Sequence, residues 1–318
     1  MNTYRTIVEA VLPVFGLIGC GFWLRQREWL SRDADASLLR LTLSIFVPCL
    51  ILDSALGNAA LHRWQNVWWA PASGFLTVGL SLFVAHLACR WHGLKDPVAA
   101  RTFRVSVALH NYGYIPLPLC LLLFDTSTAG VLFLYMTGVE VALWTLGVAG
   151  LSGRTCRLPW RRVLNPPLIA VVAALLVNVW QGHAWIPGPF RTGLHWLGQC
   201  AVPTALLLIG AVIADELGEC RVRVGWRVMA VAVCIRLGLL PWLFLAMARW
   251  LPISPELQRV LVLESAMPAA VFPIVMARHY GGHVPTAMQV VLSTSLVSLV
   301  TIPWWIQWGL NWLGLAPN

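Results

Sequence analysis

Two short stretches of this chain gather side chains able to hold a polar ligand and to move a proton. The first, HNYGYIPLP at 110–118, places His110, Asn111, Tyr112, Gly113, Tyr114, Pro116 and Pro118 inside an apolar run from about Arg101 to Phe124. The second, ESAMPAAVFP at 264–273, places Glu264, Ser265, Met267, Pro268, Ala269 and Pro273 in a run of the same character. An amide donates and accepts at once, which makes Asn111 the leading ligand-binding candidate. Imidazole titrates near neutral pH, so His110 is a candidate for proton movement; a hydrogen-bonded interior histidine is the plainer reading. Hydrolytic or nucleotide chemistry has no matching pattern, because the chain has neither H-E-x-x-H nor G-x-x-x-x-G-K. The eight cysteines show no C-x-x-C or zinc-like spacing, so no metal, cofactor or disulfide framework is expected and the cysteines read as small apolar residues.

The prolines and glycine bear on the backbone itself. Pro116 and Pro118 remove amide donors and crowd carbonyls one turn earlier, while Gly113 lets the chain leave helical geometry. Pro268 and Pro273 do the same in the second stretch. Unpaired backbone groups cost several kcal/mol in lipid, so each break must face protein or a water-filled cavity. Half-helices meeting there would offer N-termini to an anion and carbonyls to a cation.

The elements that carry these stretches follow from composition. Of 318 residues, 58% are hydrophobic and 11% charged, with mean hydropathy +0.73; soluble domains carry about 25% charge. Apolar segments long enough for the ~20 residues of a crossing helix recur along the chain. They lie at 6–24, 36–57, 66–89, 102–124, 128–151, 166–181, 192–213, 226–250, 257–278 and 286–311, the sixth being short. Runs such as VVAALLV do not alternate, which excludes a β-barrel reading. The expected class is all-α, a polytopic protein of ten transmembrane helices with the fourth and ninth broken. The first segment lacks a small-x-small site before RQRE and is expected to remain as a span.

Lysine and arginine placement predicts orientation. The loops after odd-numbered spans hold fifteen of these residues and the opposite side five, which puts both termini outside the cytoplasm in a cell membrane. This bias, not nucleic-acid binding, accounts for the net charge of +9. Trp64, Trp68, Trp69, Trp160, Trp250, Trp308 and Trp312 fall near span ends as interfacial anchors. Shifting the chain by 155 positions lays VPCLIL at 47–52 over VPTALL at 202–207, Arg104 over Arg259 and Pro118 over Pro273. Five spans being odd, the second copy must insert upside down. The expected domains are a first five-helix repeat at 1–151, a basic cytoplasmic linker at 152–165 and an inverted second repeat at 166–318.

Ionisable side chains at bilayer depth are functional candidates. Glu9, Asp53 and Arg40 lie near span ends and fit interfacial roles. Arg236 lies nine residues past Arg227, about 14 Å along a helix and so near the midplane, with His110, Glu140 and Glu264 at similar depth. Two readings stand open: Arg236 offsets substrate charge while Glu264 takes up a proton, or the two form a fixed ion pair.

With these motifs the chain resembles the auxin efflux carrier family over nearly its whole length. The amino-terminal VLPVFGLIGCGFWLRQREWLSRDADASLLRLTLSIFVPCLIL, HNYGYIPLPL, VPTALLLIGA and AMPAAVFPIVMARHYGG carry the likeness. The resemblance implies ten helices in two inverted sets of five, crossing at a substrate site, small organic anions as substrates, and elevator-like movement. Asn111 falls on the family's crossover asparagine, and Pro116, Pro118 and Pro268 on its crossover region. A polar residue often found near Phe272 is missing here, which weakens transfer of substrate identity and ion coupling. The reading is a secondary transporter, not an enzyme, of small mono- or dicarboxylates, with Asn111, Tyr112, Gly113, Tyr114, Pro116, Ser265, Met267, Pro268 and Ala269 at the substrate and Glu264, Arg236, His110 and Glu140 in coupling. Proton and Na+ coupling both remain open, as does a channel or receptor, and the expected partners are the anion, lipid and a second copy of the chain.

Overall fold

The computed structural model describes residues 3–88, 93–152, 164–180, 185–219 and 225–315. The 152–165 linker falls almost wholly outside the described residues, as do Arg90, Arg154, Arg157, Arg161, Arg162, Arg221, Arg223, Trp160, Cys89, Cys156 and Cys220. The fold is all-α. Among the described residues seven helices are long and apolar enough to cross a membrane: α1 (Thr3–Gln26), α2 (Arg32–Ala55), α3 (Trp64–Leu87), α6 (Thr126–Ser152), α8 (Gly188–Gly218), α9 (Trp226–Trp250) and α12 (Val284–Leu313). Helix α7 (Pro166–Val179) is apolar but short. Four half-length helices complete the fold: α4 (Pro97–Ala108) with α5 (Pro116–Leu123), and α10 (Pro255–Ala266) with α11 (Phe272–Tyr280). Each segment expected from the sequence thus coincides with one helix or one interrupted pair.

Local chemistry explains the bends. Helix α9 widens to a π turn over Cys234–Leu239 just before Pro241. Proline has no N–H and crowds the carbonyl of the residue four back, so a wider turn relieves the clash. That carbonyl, Leu237 O, instead accepts from Trp305 Nε1 at 2.7 Å. Helix α2 repeats the device, with a π turn at Thr42–Phe46 ahead of Pro48.

The helices pack as two groups that also touch one another, α1 against α12 and α5 and α2 against α6. Helices α1, α2, α7 and α8 form one: α1 lies along α8, and α2 packs on α7 and α8. Arg25 ties its turn region together, meeting Asp35 at 2.5 Å, the Leu30 carbonyl at 2.7 Å and Asp215 of α8 at 3.4 Å. Helices α3–α6 and α9–α12 form the other, through α3 on α6 and α4, α10 on α9, α12 and α6, and α12 on α4 and α9. Arg63 to Glu256 at 3.1 Å and Arg259 to Asp125 at 3.4 Å brace one end of this second group.

Lipid offers apolar helices no hydrophobic reason to associate, so close backbone approach at small residues has to supply the packing. Both groups use it. A Cβ on Gly138 would stand 1.9 Å from Pro71 O, and one on Gly74 2.2 Å from Tyr135 O, which locks α6 against α3. Gly21 and Gly210 do the same for α1 and α8, at 2.1 Å from Leu207 O and 2.0 Å from Ile18 O. Gly138→Val is therefore expected to destabilise the protein by about 1–3 kcal/mol, the usual penalty of overpacking. Thermal unfolding in detergent checks this, and an unchanged midpoint would contradict the close contact.

Candidate functional site

Helices α4 and α10 begin alike. Asp96 caps α4 by accepting from Val98 N and Ala99 N, both at 3.1 Å, and Ser254 caps α10 by accepting from Leu257 N at 3.2 Å. The two amides also hold the exposed Asp96 carboxyl below its ordinary titration range. Proline follows each cap at the first helical position, where its missing N–H costs nothing. Each helix then stops at a break, 109–115 in the first and 267–271 in the second.

The breaks cross and pair. Asn111 N donates to Pro268 O and Ala270 N donates to Leu109 O, both at 2.8 Å, so that His110 and Ala269 form an antiparallel bridge. Four backbone groups released from helix are satisfied by one another. Thr294 Oγ1 of α12 accepts from Ala269 N at 3.2 Å, and Asn111 Oδ1 accepts from Ile115 N at 3.3 Å. Among the described residues Asn111 Nδ2 has no hydrogen-bond partner. The residue is 5% exposed, so this donor is buried at the crossing.

Arg236 closes the other side. Its Nε donates to Met267 O at 2.8 Å and one terminal nitrogen to Glu264 O at 3.1 Å, while its Cζ lies 5.1 Å from the Phe244 ring centroid. Met267 O is one of the carbonyls left over where α10 ends, and Glu264 O otherwise accepts only from Met267 N at 3.3 Å. The guanidinium therefore caps α10 and makes no ion pair with the Glu264 carboxylate, which corrects the fixed Arg236–Glu264 pair entertained above. Glu264 Oε2 instead lies 3.1 Å from His110 Nε2, without hydrogen-bond alignment at either carboxylate oxygen. Thr77 Oγ1 donates to Gly74 O at 2.9 Å, leaving its lone pairs to Tyr135 OH at 2.8 Å. The Tyr135 oxygen then accepts from His110 Nε2 at 3.1 Å, which assigns the imidazole proton to Nε2. Arg236, His110 and Glu264 are all fully buried.

The remaining sequence candidates divide. Tyr112 turns away from the bridge and its OH reaches Glu140 Oε1 of α6 at 3.5 Å. Gly113 lies against Met136, whose Cε would be 3.0 Å from an added Cβ. Tyr114 packs on the core beside it. Pro116 opens α5, which carries Pro118, and Pro273 sits in the first turn of α11. Ser265 Oγ donates to Val262 O at 2.7 Å within α10. Glu140 lies beside the crossing, not in it, in a small cleft between the two helix groups with a free volume of about 40 Å³. Asn165, which caps α7 through Leu168 N at 2.9 Å, donates its Nδ2 to Glu140 Oε2.

Thr77, Tyr135, Thr294 and Asn165 were not singled out from sequence. The one available signal is a polar side chain within or bordering an apolar segment, and many such residues merely bond to their own helix, as Thr137 does to Leu134 O at 2.7 Å.

Paired interruptions buried in a polytopic helical protein are the arrangement on which many membrane transporters build a central site. A family model described as "Membrane transport protein" matches residues 6–157 and again 154–306, and the chain belongs to that family, the auxin efflux carriers. An uncharacterized transporter of Methanothermobacter thermautotrophicus is 26% identical over 300 residues, covering 93% of this chain and 96% of its own. A second uncharacterized transporter, from Methanocaldococcus jannaschii, is 23% identical over 304 residues, covering 94% and 97%.

Proposed function

We propose that this transporter carries small organic anions by alternating access, with the crossed breaks as its binding site. The backbone bridge between His110 and Ala269 carries the reading. It joins the two breaks that lead into α5 and α11, and aligned peptide dipoles at helix N-termini favour a negative group. Asn111 Nδ2 adds a directional donor for a carboxylate. The chain is read as two inverted five-helix repeats making ten crossings of the cell membrane with both termini outside; the twofold match of the family model supports the repeats.

An elevator-type movement fits the two-group packing, the α3–α6/α9–α12 group sliding with its substrate against α1, α2, α7 and α8. Glu216 of α8 meets Arg278 of α11 at 2.8 Å across that division. In this reading the pair holds one end state. Arg278→Glu should shift the balance of states about fivefold, matching the ~1 kcal/mol of a half-exposed ion pair, and adding Glu216→Arg should restore it. Accessibility labelling of a cytoplasmic-side cysteine reads the balance, and a double variant no better than the single one would exclude the latch.

Counterflow in proteoliposomes tests the function. Vesicles loaded with an unlabelled carboxylate should transiently accumulate the labelled one above equilibrium. A panel of acetate, lactate, benzoate and malonate, preceded by thermal-shift screening at several pH values with and without Na+, identifies the substrate class. Simple equilibration with all four, or no movement, would refute a carrier of small carboxylates.

A further inference from the structure

The cleft beside the crossing holds a carboxylate with an unusual set of neighbours. Glu140 accepts from Asn165 Nδ2 of the α7 cap and from Tyr112 OH of the first break. Among the described residues no lysine, arginine or histidine lies within ion-pair distance of it. The titratable groups that face it are Tyr112 and Tyr114, both from the first break; α2 presents Ile51 and α7 presents Leu168 and Val171, and Phe133 and Met136 of its own helix complete an apolar wall. Arg236, Glu264 and His110 belong to the crossing, where Arg236 is engaged with backbone carbonyls.

An ionised carboxylate in apolar walls repels a second one. When two carboxyl groups share such a site, one keeps a proton. We infer that Glu140 is the coupling site of this transporter, taking up one proton on the side where substrate enters and sharing it, as a single O–H···O bond, with the substrate's carboxylate. No covalent bond of the substrate changes. The proton joins a Glu140 carboxylate oxygen, travels with the anion and leaves with it on the far side, so a monocarboxylate and a proton cross together without net charge. Met136 joins this cleft to the break at Gly113, and Asn165 and Tyr112 fix the carboxyl between the two helix groups. This inference rests on the organic-anion reading above and replaces Glu264 with Glu140 as the group that binds the transported proton.

The test uses full-length protein in proteoliposomes and whichever of acetate, lactate and benzoate shows the largest counterflow. Wild-type uptake should fall by up to about tenfold per pH unit on the alkaline side of a range from about pH 5 to pH 8, and should ignore an imposed K+ diffusion potential. Glu140→Gln supplies a permanent donor in place of the protonated acid. It should flatten the pH profile to within about twofold and make transport respond to the potential. Glu140→Asp keeps the acid and should keep the pH dependence and electroneutrality, which covers the case of a poorly folded glutamine variant. A Glu140→Gln protein that retains the wild-type profile, a wild type that is flat or electrogenic, or competition by an organic amine in preference to carboxylates would each overturn the assignment. Absence of counterflow by all the carboxylates in the wild type would instead remove the transport reading on which it stands.

Discussion

Arg236→Leu is expected to cost the protein about 3–5 kcal/mol of stability, the largest effect of any single substitution considered. Hydrogen bonds from a charged donor contribute about 1.5–3 kcal/mol each, and two are lost together. Here the side chain is 0% exposed and supports two carbonyls at the end of α10. Without it, Met267 O loses its donor and Glu264 O keeps only the 3.3 Å bond from Met267 N, in a region where water cannot replace the guanidinium. The Glu264 carboxylate beside His110 would also lose its nearest cation. At roughly 2–4 °C per kcal/mol the melting midpoint in detergent should fall by around 10 °C. Arg236→Lys, retaining a charge and one donor direction, should recover part of the loss. A leucine variant that melts with the wild type would show that the cap on α10 is dispensable.

Asn111→Ala should have the largest effect on transport with the least on folding. Its backbone N–H, which makes the bridge to Pro268, survives the change. What disappears is the amide, whose Oδ1 steadies Ile115 N and whose Nδ2 faces the binding position. A hydrogen bond to a charged group contributes about 1.5–3 kcal/mol, so substrate affinity should drop by roughly 10- to 100-fold while the melting midpoint moves by only a few degrees. Asn111→Asp should be worse, since it places a negative charge against an anion. Normal counterflow affinity in the alanine variant would remove Asn111 from the site, and improved uptake by the aspartate variant would reverse the assumed sign of the substrate.

Much of this arrangement is legible in the residues because proline and glycine act locally. Gly113, Pro116, Pro268 and Pro273 cluster at the two breaks, whereas the isolated Pro13, Pro71 and Pro303 sit inside continuous helices, and membrane energetics require the groups released at a break to find partners. The register of the repeat was less legible. Pro97 and Pro255 open corresponding half-helices three positions further apart than the 155-residue shift, and Pro116 and Phe272 one further. The two breaks differ in length, so no single shift aligns both sides of them. The partners brought by packing were invisible for another reason. Nothing in the neighbourhood of Asn165 indicates Glu140, 25 residues earlier, and Thr77 meets Tyr135 across 58 residues only because Gly74 and Gly138 let α3 and α6 touch. Arg236 was recognised by depth, but its choice of carbonyls over a carboxylate depends on where α10 ends.

Substrate protection at Met136 tests most directly whether the crossed breaks and the adjoining cleft hold the transported molecule. Met136 lines the cleft and adjoins Gly113 of the first break. In a transport-competent variant whose native cysteines are replaced, Met136→Cys should react with a small maleimide at a rate that falls as carboxylate is added, with half-protection at the concentration that half-saturates counterflow. Undiminished labelling at saturating carboxylate, in vesicles that still exchange it, would place the substrate elsewhere and contradict the account.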